Sequence, residues 1–226
     1  MGRQPLRYRQ IVALIAGLLL CAGPVRADQS APPAPAADAA APAIVLARLS
    51  SDPRMPDGYS ANLELHVKLR SFPFIGLTVH GTSSYRKPGL YHYVLQNLPR
   101  IAAKFNDLHY DLGDPETWST RYDIEMSPAS TEDVPVLRLT PKKAGGMVTY
   151  LDIETAGKNG RMLKATWQRR DGGTIVLTQT YAAVGANDVV TAQHASFDIP
   201  HLRAELTATY TNVVVDTPMF ATVNER

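Results

Sequence analysis

Tyr59, Ala61, Leu63, Leu65, Val67 and Leu69 alternate with Ser60, Asn62, Glu64, His66, Lys68 and Arg70. A period of two sends successive side chains to opposite faces of an extended chain, so this run predicts a strand with one apolar and one wet face. Leu202, Ala204, Leu206, Ala208 and Tyr210 repeat the pattern against Arg203, Glu205, Thr207 and Thr209. Met147, Leu151 and Ile153, then Leu163, Ala165 and Trp167, carry weaker versions. Turn signals separate these runs: Ala144-Gly145-Gly146, Gly157-Lys158-Asn159-Gly160, Asp171-Gly172-Gly173 and Gly185-Ala186-Asn187-Asp188. Their spacing predicts an antiparallel meander of about nine strands that curls into a barrel or half-barrel. The exception is Pro99 to Asp111, where Ile101, Phe105, Leu108 and Leu112 fall at helical spacing. That segment predicts a helix crossing one face or one mouth of the sheet.

The amino-terminal 27 residues read differently. Arg3, Arg7 and Arg9 precede an apolar run from Ile11 to Gly23, and Val25-Arg26-Ala27 ends it with small residues. This is the pattern of a cleaved secretory signal, too short and too early for a spanning helix. Cys21, the single cysteine, lies inside it. Leucines stand directly before Cys21 where a lipoprotein signal carries a small residue, so lipid anchoring there is disfavoured. Without Cys21 the mature chain forms no internal disulfide and is held by burial alone.

Removing four arginines and no acid from a chain of net charge +2 leaves −2 for residues 28–226. That balance does not ask for a nucleic-acid partner. Residues 28–43, rich in Ala and Pro, read as a semi-extended linker. A single domain is expected over 44–226, beginning with a short helix from Ile44 to Ser51 that ends before Asp52-Pro53.

Gly81 to Tyr93 reads as a hairpin whose turn is Lys87-Pro88-Gly89-Leu90. Proline presets φ for the first corner of a type II turn, and glycine supplies the positive φ of the second. Together with Leu139-Thr140-Pro141-Lys142, the Asp171-Gly172-Gly173-Thr174-Ile175 turn and Ser196-Phe197-Asp198-Ile199-Pro200, this hairpin resembles the LolA family of periplasmic lipoprotein carriers. The resemblance implies a mainly β fold: a curved antiparallel sheet forming an incomplete half-barrel, covered by short helices, that shields acyl chains of lipoproteins. It also implies acyl lipid or lipoprotein cargo, a membrane partner protein, a periplasmic location and no cofactor. An envelope sensor or adaptor without catalytic activity is the alternative on the same fold.

In that family the basic residue before the hairpin proline is an arginine that contacts the lid and matters for release. Lys87 stands there, and a lysine is a point donor rather than a planar fork. The chain also departs from the family after the hairpin, where Leu98-Pro99-Arg100-Ile101 replaces further strands around an Asp-Gly turn. The inward-facing candidates for holding lipid are Leu63, Leu65, Val67, Val79, Tyr85, Tyr91, Tyr93, Phe105, Trp167 and Leu206, with Trp118 a further aromatic on the same list.

Other chemistry in the sequence is sparse. His66 and His80 are expected to face each other across the first hairpin, pivoting about Pro73, with His92 on the other parity. Two imidazoles fall short of the three or four ligands that zinc takes, so no metal is expected. Asp107, His109, Asp111 and Asp114 gather acids around one histidine, which also suits a solvated helix end. The nucleophile elbow, the zincin helix and the Walker loop are all missing from the sequence, so the chain is read as non-catalytic.

Overall fold

The computed structural model describes residues 40–71, 76–98, 106–111, 113–157, 160–200 and 202–215. The signal segment, Cys21, most of the Ala/Pro tract and Phe105 lie outside the described residues. Eleven strands form one antiparallel sheet: β1 (Gly58–Leu69), β2 (Gly76–Arg86), β3 (Leu90–Gln96), β4 (Asp107–Asp111), β5 (Tyr122–Met126), β6 (Val136–Pro141), β7 (Val148–Thr155), β8 (Met162–Arg169), β9 (Thr174–Val184), β10 (Asn187–Ile199) and β11 (Leu202–Val215). Their order is β4-β3-β2-β1-β11-β10-β9-β8-β7-β6-β5. Every neighbour follows in sequence except β1 and β11, which join the two ends of the meander at the middle of the sheet. The sheet ends at β4 and β5 without closing, which makes it the open half-barrel expected from the sequence.

The alternation along β1 is the strongest element of the pattern, and its odd positions from Tyr59 to Leu69 are all buried. Those from Ala61 to Leu69 meet Val79, Tyr93, Leu95, Ala204, Leu206, Ala208 and Tyr210 in one continuous core. Packing of this kind fixes register, because a one-residue slip would turn the whole apolar set to water. Gly81, opposite Leu95 on β3, is held by contact rather than by conformation. A Cβ there would lie 2.1 Å from the Val94 carbonyl oxygen.

A helix, α1 (Ala40–Ser50), precedes the sheet and starts earlier than the Ile44 expected, within the Ala/Pro tract. A 3₁₀ helix (Pro115–Thr120), capped by the Asp114 carboxylate accepting from the Glu116 N–H at 3.0 Å, lies between β4 and β5. Val45 and Leu46 of α1 and Trp118 of the 3₁₀ helix are buried against Leu137, Leu139 and Ile153. Full burial of an aliphatic side chain contributes roughly 1.5–3 kcal/mol, so this patch holds α1 over the β5–β7 end of the sheet.

Three expectations need correction. The sheet has eleven strands rather than about nine. Asp107–Asp111 is a strand, not the end of a helix, and residues 99–105 lie outside the described residues. Its local alternation, with half-buried Leu108 between exposed Asp107 and His109, found a partner in the open edge of β3. Met147 is 51% exposed, and Val148 packs against the core in its place. The β7–β8 ladder shifts register between Val148 and Tyr150, which displaces the inward positions.

Candidate functional site: an apolar cavity beneath a helical cover

Where the main core meets the patch under α1, packing leaves a cavity of about 110 Å³. Leu63 and Leu65 of β1, Tyr91, Tyr93 and Leu95 of β3, and Ala208 and Tyr210 of β11 line one side. Leu139, Leu151, Ile153, Met162, Ala165, Trp167 and Leu177 of β6–β9 line the other, with Trp118 and Tyr122 at the cover. Polar groups are few. Gln193 accepts a 2.6 Å hydrogen bond from the Tyr210 hydroxyl, Gln179 accepts one of 2.8 Å from Tyr181, and exposed Arg121 stands at the rim. A space walled this way favours apolar guests and stays dry when empty.

Of the sequence candidates, Leu63, Leu65, Tyr91, Tyr93 and Trp167 are brought together around this cavity, as is Trp118. Val67, Val79 and Leu206 are buried in the same core away from it. Tyr85 belongs to an adjoining cluster with Tyr59 and Val189. Its ring centroid lies 5.2 Å from Tyr59 and 4.9 Å from Tyr91, and Tyr91 stacks on Tyr93 at 6.2 Å and 5°. A row of tyrosines therefore runs from the core cluster into the cavity wall. Burial pushes the Tyr91 hydroxyl up to about 12 and raises those of Tyr59, Tyr85, Tyr181 and Tyr210 as well. Sequence reasoning found Trp167 of β8 but missed the rest of the wall from β6 to β9. Leu139, Leu151 and Leu177 lie in runs whose alternation is too weak to mark an inner face.

The cover is tied down by polar contacts that sequence reasoning also missed. Ser50 donates to the Asp114 carboxylate at 2.6 Å, joining α1 to the 3₁₀ helix. Arg48 donates to the Gly157 carbonyl at 2.9 Å. Just past α1, buried Asp52 accepts from Arg161 Nε at 2.8 Å, and the same guanidinium contacts buried Asp188. Arg54 Nε lies 2.8 Å from Asp188, closing a four-residue network. Burial works against the Arg161 charge, but the Asp52 hydrogen bond and the two carboxylates more than offset it and raise its pKa. Arg161 also lies over the Tyr181 ring at 5.7 Å.

Lys87 lies beside this network. Its ammonium donates to the Asp52 carbonyl oxygen at 3.4 Å and is 3.6 Å from the Asp57 carboxylate. The turn it begins is not the expected type II corner. Lys87-Pro88 is cis, and Arg86 pairs with Leu90 across a three-residue loop. The one-residue difference reverses the parity expected for His92, which falls on the same face as His80.

The remaining titratable candidates are dispersed. Glu64 pairs with His80 and His66 with Thr78, so the two histidines are diagonal neighbours rather than opposed. They take different oxygens of Glu64, at 2.6 Å for His66 and 3.6 Å for His80. Asp114 caps the 3₁₀ helix and leaves the acidic group, whereas His92 joins Asp107 and His109 on the outer face of β3 and β4. Among the described residues no helix is long and apolar enough to cross a membrane.

An open antiparallel half-barrel with short covering helices is a LolA-like fold, and the solved structures matched with TM-scores above 0.5 share its architecture. One is a DUF1329 family protein from Desulfovibrio piger, matched with a TM-score of 0.57 at 11% identity over 79% of this chain and 93% of that one. A second is a putative outer membrane lipoprotein-sorting protein domain from Vibrio parahaemolyticus, with a TM-score of 0.56 at 12% identity over 80% and 95%. A LolA superfamily protein from Nitrosomonas europaea is matched with a TM-score of 0.48 at 11% identity over 78% and 94%. Identities this low describe the fold. No protein-family model matches the sequence, and no curated protein does.

Proposed function

We propose that the protein is a non-catalytic periplasmic carrier of acyl lipid or of lipoprotein acyl chains, exported by a signal cut after Ala27. The observation that carries the reading is the apolar cavity between the inner face of the sheet and Trp118 of the 3₁₀ helix, which α1 packs against. Each methylene moved from water into such a space contributes about 0.8 kcal/mol, so an acyl chain has reason to enter. The volume of about 110 Å³ takes only a short stretch of chain with the cover shut. Pockets that enclose larger ligands run to about 300–1,000 Å³, so full loading requires α1 and the 3₁₀ helix to move outward. The network around Asp52 and the Lys87 contact are the hinge side of that movement, and Lys87 is proposed to bias release. The fold's likeness to a putative lipoprotein-sorting domain supports the same reading.

Native mass spectrometry of the protein purified from a periplasmic fraction without detergent tests the proposal. The expected spectrum contains an adduct that disappears on solvent extraction and is recovered as acyl lipid. A clean mass for residues 28–226, with no uptake of a fluorescent fatty acid, would overturn the carrier reading and favour an adaptor on the same fold.

A further inference from the structure

His92 on β3 and His109 on β4 are direct cross-strand partners, and their rings stack at 4.1 Å with 15° between planes. Asp107, two positions before His109, reaches back between them. Its Oδ1 lies 2.8 Å from His92 Nε2 and 3.4 Å from His109 Nδ1. One donor atom from each of the three falls within 4.8 Å of the others. Donors bound to one zinc ion at about 2.0–2.2 Å lie roughly 3–4 Å apart, so small side-chain rotations bring all three onto a common centre. The Glu64, His66 and His80 group on β1 and β2 lacks this convergence, because its histidines take opposite oxygens of the carboxylate.

We propose that His92, Asp107 and His109 bind a divalent transition-metal ion of the zinc type, leaving at least one coordination position open. Two imidazoles and a carboxylate are ligands suited to zinc, and three protein ligands leave the fourth position for water or for a donor from another molecule. The site is on the outer face, away from the acyl cavity, so it is independent of the carrier reading. β4 is a five-residue strand at the edge of the sheet with β3 as its one neighbour in the sheet order. A metal bridging the two strands therefore pins the edge of the half-barrel.

Isothermal titration of the chelator-stripped protein with zinc chloride tests the site. The expected result is one ion per chain with micromolar or tighter affinity, and a rise in melting temperature on loading. His92→Ala, His109→Ala and Asp107→Asn should each weaken binding by about tenfold or more, the loss of one of three ligands. His66→Ala with His80→Ala should leave it unchanged. Circular dichroism of the zinc-free variants checks that the fold is kept, and Asp107→Asn preserves the shape of the side chain it replaces. Absence of binding at micromolar zinc, or an affinity in the three single variants no weaker than that of the unsubstituted protein, overturns the proposal.

Discussion

Arg161, directly before β8, donates to Asp52, two residues past α1, through a 2.8 Å Nε–Oδ2 hydrogen bond in which the Asp52 side chain is buried and that of Arg161 largely so. The two are far apart in sequence, and the bond fastens the foot of α1 to the far side of the half-barrel. The same guanidinium also serves buried Asp188.

Removing one partner of a buried pair leaves the other charged and desolvated. Arg161→Ala should therefore destabilise the protein by about 3 kcal/mol or more, measured by urea denaturation. Lys87→Ala, which removes a longer contact from a partly exposed ammonium, should cost under about 1 kcal/mol. Equal losses for the two variants would show that the network does not hold the cover.

Gly160 connects the same regions by close approach. Its φ is +69°, and a Cβ there would lie 2.5 Å from the backbone carbonyl of Arg48 in α1. Gly160→Ala should therefore push α1 outward, since backbone in the left-handed region and a backbone clash both oppose the methyl group. The expected readout is increased binding of an apolar dye at temperatures well below unfolding.

Ala165 lies on the cavity wall and is 1% exposed. Ala165→Leu should fill part of the space at a stability change within about 1–2 kcal/mol, since the added methylenes enter a void rather than a packed core. Fatty-acid uptake, followed by fluorescence, should fall sharply. Unchanged uptake in a folded variant would locate the lipid elsewhere.

The buried tyrosines give the protein a defined alkaline limit. Their hydroxyl pKa values are raised on folding, Tyr91 to about 12, so the unfolded chain loses protons first as pH rises. The stability they contribute is complete below about pH 10, the ordinary tyrosine value, and is lost progressively above it. Absorbance titration should show the buried tyrosines ionising above about pH 10, together with the loss of tertiary structure.

What the sequence determined by itself is what local alternation encodes. The faces of β1 and β11, the glycine turns between β7 and β10, and the inward sense of Tyr85 follow from side-chain period and turn chemistry. A two-residue Gly185-Ala186 loop, for instance, pairs Val184 with Asn187 directly. The tertiary structure decided whatever depends on one residue of register or on distant partners. A three-residue loop at Pro88, where a two-residue loop was expected, moved His92 to the face that carries His80 and turned Tyr91 and Tyr93 inward, and pairing of β4 with β3 brought His109 and Asp107 beside His92. The cavity was legible on its β1 and β3 side and at Trp118 and Trp167, while weak alternation in β6–β9 hid the other residues that turn inward. The link between Asp52 and Arg161 had no local signal at all. A buried ion pair is specified by where two distant backbones meet, and that meeting is a property of the sheet order rather than of either segment.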